Sequence, residues 1–165
     1  MVESTQTPLG IRISGVTKRF DGETILDGLE LGIDPGSFTV LVGPSGCGQT
    51  TLLRTIGQME AVTSGRVAVL EGHTVLKDVE ADRIGYCFQE SRLLPWRTVL
   101  ANVTLPLEIR GLPLAERNER GLETLRMAGL TGHDNKLPHQ LSGGMQMRVS
   151  IARALITKPG LLLLD

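Results

Sequence analysis

A chain of 165 residues with 41% hydrophobic content suits one domain with a real core. Its 17 Lys+Arg against 18 Asp+Glu leave a net charge of -1, and aromatics make up only 3%. That balance excludes the basic footprint and the base-stacking platform of a nucleic-acid binder. Cys47 and Cys87 are too few for a disulfide scaffold and lack metal-ligand spacing, so they read as free thiols of a reducing compartment. Residues 1–9 carry no apolar core of a secretory signal, and the longest apolar runs are strand-sized. Any role in a membrane would therefore call for separate membrane subunits.

Ile11, Ile13 and Val16 are spaced for a strand with one buried face, closed by the turn pair Asp21-Gly22. Thr24–Ile33 reads as a second strand, ended by Asp34-Pro35-Gly36. Ser37–Val42 is apolar and β-branched on both faces, as a central buried strand would be. It leads into a glycine-rich loop, Gly43–Gly48, and a helix over Thr50–Ile56. Gly65–Leu70 and Arg83–Phe88 are further strands. Residues 91–142 change character: helical patterns over Thr98–Arg110 and Leu114–Ala128 are broken at Pro106 and at Gly111-Leu112-Pro113, and predict a helical insert. A helix over Gly143–Ile156 and an apolar strand over Leu161–Leu164 complete the pattern. The expected fold is α/β: a P-loop core with an N-terminal antiparallel β portion and the helical insert, in a single domain spanning 1–165.

The segment Gly43-Pro44-Ser45-Gly46-Cys47-Gly48-Gln49-Thr50-Thr51 between strand and helix has the layout G-x-x-x-x-G-K-[ST], with Gln49 where the pattern has lysine. Glycines let backbone N–H groups turn toward phosphate oxygens, and the helix N-terminus adds partial positive charge at the same place. Thr50 offers a hydroxyl for Mg²⁺. Gln49 can donate hydrogen bonds but carries no charge to set against the β- and γ-phosphates. A plain Gly/Pro turn without ligand is the competing reading.

The run Leu141-Ser142-Gly143-Gly144-Met145-Gln146-Met147-Arg148-Val149, continued through Arg153, resembles the signature segment of ABC-type ATPases. Ser142 as a simple helix cap is the alternative for that residue alone. Other positions fall in the same family's order. Leu161–Asp165 resembles Walker B, with Asp165 as a carboxylate for Mg²⁺. Gln89 resembles the Q-loop glutamine, implying a role at the metal or the attacking water. Phe20 stands where the family stacks an aromatic on adenine, with core packing as its alternative. The resemblance implies ATP and Mg²⁺ as cofactors. ATP would lie between Gly43–Thr51 of one subunit and Ser142, Gly143, Gly144 and Met145 of a second copy packed head to tail. Family members continue past this aspartate with a glutamate, a D-loop and a switch histidine. The expectation is therefore of a domain incomplete at its C-terminus, unstable alone, and unable to hydrolyse ATP measurably.

Residues 90–103 resemble the nitrate/sulfonate/taurine import group, implying transport of a small anion. In that family the region faces the permease, so Leu93, Leu94 and Trp96 are expected to form an apolar knob for it; burial of the same residues inside the helical insert is the alternative. A solute-binding protein would act indirectly, and the place of work would be the cytoplasmic face of the inner membrane. His73, His133 and His139 have no ligand spacing and read as loop residues. Two rivals stand beside this reading: a nucleotide-binding module without catalysis, and a soluble P-loop kinase.

Overall fold

The computed structural model describes residues 7–165, which fall into two compact units: residues up to Ile84 together with Asp165, and Gly85–Leu164.

The first unit is built on an antiparallel sheet of β1 (Leu9–Phe20), β2 (Glu23–Ile33), β3 (Ser64–Glu71) and β4 (Thr74–Val75), in the order β2-β1-β3-β4. Alternation sets its inner face: Ile11 and Ile13 are buried, while Arg12 and Ser14 face out. The three-residue step to Val16 would break that period. A register shift between Ile13 and Val16 absorbs it and returns Val16 to the inside. Asp21 and Gly22 both take positive φ, +47° and +87°, the geometry a two-residue hairpin needs between β1 and β2. After β2 the Asp34-Pro35-Gly36 turn is closed by the Ser37 amide donating to the Asp34 carbonyl at 3.1 Å. Helix α1 (Gln49–Ile56) buries Leu52 and Ile56; each such side chain contributes about 1.5–3 kcal/mol when fully withdrawn from water.

One expected strand is not formed. Ser37–Val42 runs between turn and loop without a ladder partner among the described residues, and Phe38, Val40 and Val42 stand exposed. A strand exists only through a neighbour's hydrogen bonds. Here the Leu41 carbonyl accepts from the Gln49 side chain instead.

The second unit pairs β5 (Ile84–Cys87) with β6 (Leu161–Leu164) and packs four helices. The expected helix over 98–110 is two short ones, α2 (Val99–Val103) and α3 (Leu105–Ile109), meeting at Thr104. Pro106 sits in the first turn of α3, where its missing N–H costs nothing. Helix α4 spans Leu114–Met127 and α5 spans Gly143–Leu155. Their apolar stripes meet around Val99, Val103, Leu107, Leu125, Val149 and Ile156. No helix of the described residues is long and apolar enough to cross a membrane.

Candidate functional site

In the first unit, the loop Gly43–Gly48 swings from the extended segment into α1. Gly46 and Gly48 hold φ of +82° and +92°. At Gly48 the requirement for glycine is double: a Cβ would also stand 3.0 Å from Leu26 Cδ2 and 3.1 Å from the Ile25 carbonyl oxygen. The loop therefore rests on β2. Gly48 is also the N-cap of α1 and supplies no side chain to the helix, whose first turn holds no acidic residue. The N-terminal amides of α1 keep their pull on an anion.

Two further side chains define the site. Thr50 donates its hydroxyl to Asp165 Oδ1 at 2.6 Å, so the hydroxyl and carboxylate expected at a metal meet in one place. Both are hard oxygen donors, of the kind Mg²⁺ takes alongside phosphate and water. Gln49, the expected phosphate ligand, turns inward: its Nε2 donates to the Leu41 carbonyl at 3.0 Å. Among the described residues no group of three or more His, Cys, Asp or Glu side chains could hold a metal by itself.

In the second unit, Gln89 lies exposed just beyond β5. Ser142 caps α5, its hydroxyl accepting from the Met145 amide at 3.3 Å. Gly143 and Gly144 stand exposed behind it, and a Cβ on either would meet nothing within 4 Å. The chain itself gives no steric reason for these glycines. Gln146 pins the entry to α5, donating to the carbonyls of Pro138 at 3.0 Å and Leu141 at 3.3 Å.

Trp96 is 73% exposed, which removes the alternative of burial inside this chain. Leu94 is half-buried, and Leu93 packs against the apolar core of the second unit, so only Trp96 of the expected knob projects freely. The turn beneath Trp96 is held by Asn102, a residue that no motif marks. Asn102 is fully buried; the two hydrogens of its Nδ2 are shared among the carbonyls of Leu94, Arg97 and Thr98, all within 3.1 Å, and its Oδ1 accepts from the Leu94 amide at 2.7 Å. Arg97 adds a two-point contact to Glu108, at 2.9 and 3.2 Å. That hydrogen bond holds the Glu108 carboxyl below its usual range, against a smaller opposing effect of desolvation. Arg153, its pKa lowered by burial, donates to the carbonyls of Ser91 and Arg92, each at 3.0 Å.

A glycine loop on a helix N-terminus, with a threonine hydroxyl and an aspartate meeting beside it, defines a P-loop nucleotide-binding domain. The family model described as ABC transporter matches residues 26–165. An uncharacterised ABC transporter ATP-binding protein of Methanocaldococcus jannaschii is 45% identical over 159 residues, covering 94% of this chain and 58% of the relative. The spermidine/putrescine import ATP-binding protein of Escherichia coli K12 is 43% identical, covering 98% of this chain and 43% of the relative. The dimeric post-hydrolysis structure of the ATP-binding cassette MJ0796, bound to ADP and Pi, superposes with a TM-score of 0.80 at 37% identity, over 94% of this chain and 73% of that one. The chain belongs to the ABC transporter family, and the relatives it matches are ATP-binding proteins of that family. It spans about half the length of the curated relatives it matches.

Proposed function

We propose that this chain is the nucleotide-binding part of an ATP-hydrolysing subunit that energises an ABC import system. The observation that carries the reading is the Thr50–Asp165 contact at 2.6 Å beside the intact glycine loop. Phosphates would lie on the Gly43–Thr51 amides, and Thr50 and Asp165 would hold Mg²⁺, with Gln89 as a third candidate ligand. Bound Mg²⁺ would neutralise charge on the β- and γ-phosphates. Ser142, Gly143, Gly144 and Met145 would close on ATP held by a second copy; the cassette MJ0796 is a dimer in its solved structures. Trp96 would seat in a permease subunit, at the cytoplasmic face of the membrane. Resemblance over residues 90–103 favours a small anion such as nitrate, sulfonate or taurine as cargo. A polyamine is the second reading, favoured by the 43% identity to the spermidine/putrescine import protein.

ATP binding by the chain, measured with and without Mg²⁺, tests the site. Magnesium should tighten binding, and Thr50→Ala should remove that gain. Binding indifferent to magnesium in the parent chain would sink the proposal.

The glycines of α5 separate folding from association. Gly144→Ala puts a methyl group into open space at the start of a helix, where Ala is better than Gly by about 0.5–1 kcal/mol. The melting temperature should hold or rise. Self-association at saturating MgATP, read by sedimentation, should fall, because a Cβ would stand where the second copy's nucleotide approaches. Unchanged association would remove Gly144 from the interface.

A further inference from the structure

Lys18 lies on β1 and is 8% exposed, an unusual place for an ammonium group. Its Nζ donates to Glu60 Oε1 at 2.7 Å and to the Ala61 carbonyl at 2.7 Å. The same Nζ stands 4.5 Å from the centroid of the Phe20 ring. These bonds tie the segment after α1 to the end of β1. Two more reinforce the tie: the Thr63 amide donates to the Thr17 carbonyl at 2.9 Å, and the Arg19 amide donates to Thr63 Oγ1 at 3.0 Å. Phe20 itself is 42% exposed and is not a core residue.

The sheet register places this ring near the phosphate loop. Gly48 rests on Ile25 and Leu26, and Leu26 is the cross-strand partner of Lys18. Phe20 is two residues further along β1, past a register shift between Lys18 and Arg19, and its ring reaches back to the Lys18 ammonium. A nucleotide with its phosphates on the loop has its base within reach of that hairpin end.

We propose that Lys18 is a positioning residue for base recognition. Its ammonium, fixed by Glu60 and the Ala61 carbonyl, backs one face of Phe20 and holds the ring so that its other face stacks on a purine. A cation over an aromatic face attracts it electrostatically, and draws electron density from the opposite face, which favours stacking on an electron-rich base. The inference rests on the reading of Phe20 as the base platform and assigns the group that orients it.

The test compares binding of MgATP with that of magnesium tripolyphosphate, which has the phosphates but no base. The variants are Phe20→Ala, Lys18→Met, Lys18→Arg, Glu60→Gln and the Phe20→Ala/Lys18→Met pair. Lys18→Met should weaken ATP about three- to tenfold, the scale of a partly desolvated cation–π contact, and leave tripolyphosphate unchanged. Lys18→Arg should restore ATP binding, since a guanidinium can both pair with Glu60 and lie over the ring. The double variant should bind ATP no worse than Phe20→Ala alone. Glu60→Gln, which loosens the clamp while Lys18 stays in place, should show a smaller loss of the same kind and serves if Lys18→Met does not fold. If Lys18→Met and Glu60→Gln leave ATP unchanged while Phe20→Ala weakens it, or if they weaken both ligands equally, Lys18 is not positioning the ring. Additive losses in the double variant overturn it too. If Phe20→Ala leaves ATP unchanged, the base platform itself is wrong and the inference goes with it.

Discussion

Replacing Gln49 by lysine should raise the affinity for MgATP about tenfold to a hundredfold. The loop proposed to cradle phosphate is shaped by Gly43, Gly46 and Gly48 and by the rest of Gly48 on β2, and all three glycines stay in place. What the parent lacks is charge: the amide of Gln49 is neutral, and it is already committed to the Leu41 carbonyl. A charge-assisted contact contributes about 1.5–3 kcal/mol, against about 0.5–1.5 for a neutral one. Each 1.4 kcal/mol is about a factor of ten. AMP has no β- or γ-phosphate, so its binding should stay as it is. Gln49→Ala sharpens the comparison. If the amide serves Leu41 and not phosphate, Ala should cost ATP affinity little while lowering stability by about 1 kcal/mol, the net contribution of one hydrogen bond. Calorimetric titration of the three proteins with MgATP and AMP decides the matter. Equal ATP affinity in all three would mean that another cation already answers the terminal phosphates. A large loss in Gln49→Ala would mean that the amide leaves Leu41 when nucleotide arrives.

The elements that could be read in the sequence were those whose signal is local. Asp21-Gly22 announced a hairpin because only a few residues accept two successive positive φ angles. The glycine loop before α1 and the capped helix at Ser142 are legible for the same reason: the pattern sits in one short segment. Ser37–Val42 was read as a buried strand from composition alone, yet a strand is made by its neighbours, and here none of the described residues pairs with it. Gln49 could be seen to be uncharged, but not that its amide would turn back to Leu41. Lys18 and Asn102 carry no signal by residue type alone, since an isolated polar residue suits a solvated surface as well. Position would have given them away. Lys18 continues the inward alternation after Val16, and Asn102 lies on the Val99–Val103–Leu107 stripe of the second unit's core. A polar residue on a buried stripe has partners, and long-range partners are what the sequence does not spell out.

Asn102 is where a single substitution should cost most. Among the described residues, two of the groups it binds have no other hydrogen bond: the Leu94 amide and the Arg97 carbonyl. The Leu94 and Thr98 carbonyls retain a second donor each, from the amides of Arg97 and Asn102. Asn102→Ala therefore strands one donor and one acceptor in a part-buried place, at about 1–3 kcal/mol apiece. The denaturation free energy should drop by roughly 2–4 kcal/mol, with non-additivity holding it below the sum of the extremes. Asn102→Asp should be worse at neutral pH, although it is the smaller change in shape. Its carboxylate can still accept from the Leu94 amide, but it would face three carbonyl oxygens with no proton to give them. Burial and those carbonyls would raise its folded-state pKa above the unfolded value. The penalty is then full above the folded pKa, and it shrinks as pH falls through that value toward about 4, where the unfolded aspartate also protonates. Trp96, the only tryptophan, rides on the turn that Asn102 holds and reports on it directly. In urea titrations followed by its fluorescence, both variants should show lower midpoints, and the gap between Asp and Ala should narrow in acid. An Asn102→Ala protein as stable as the parent, with unaltered Trp96 emission, would mean that water or the Arg97–Glu108 pair can hold the turn unaided.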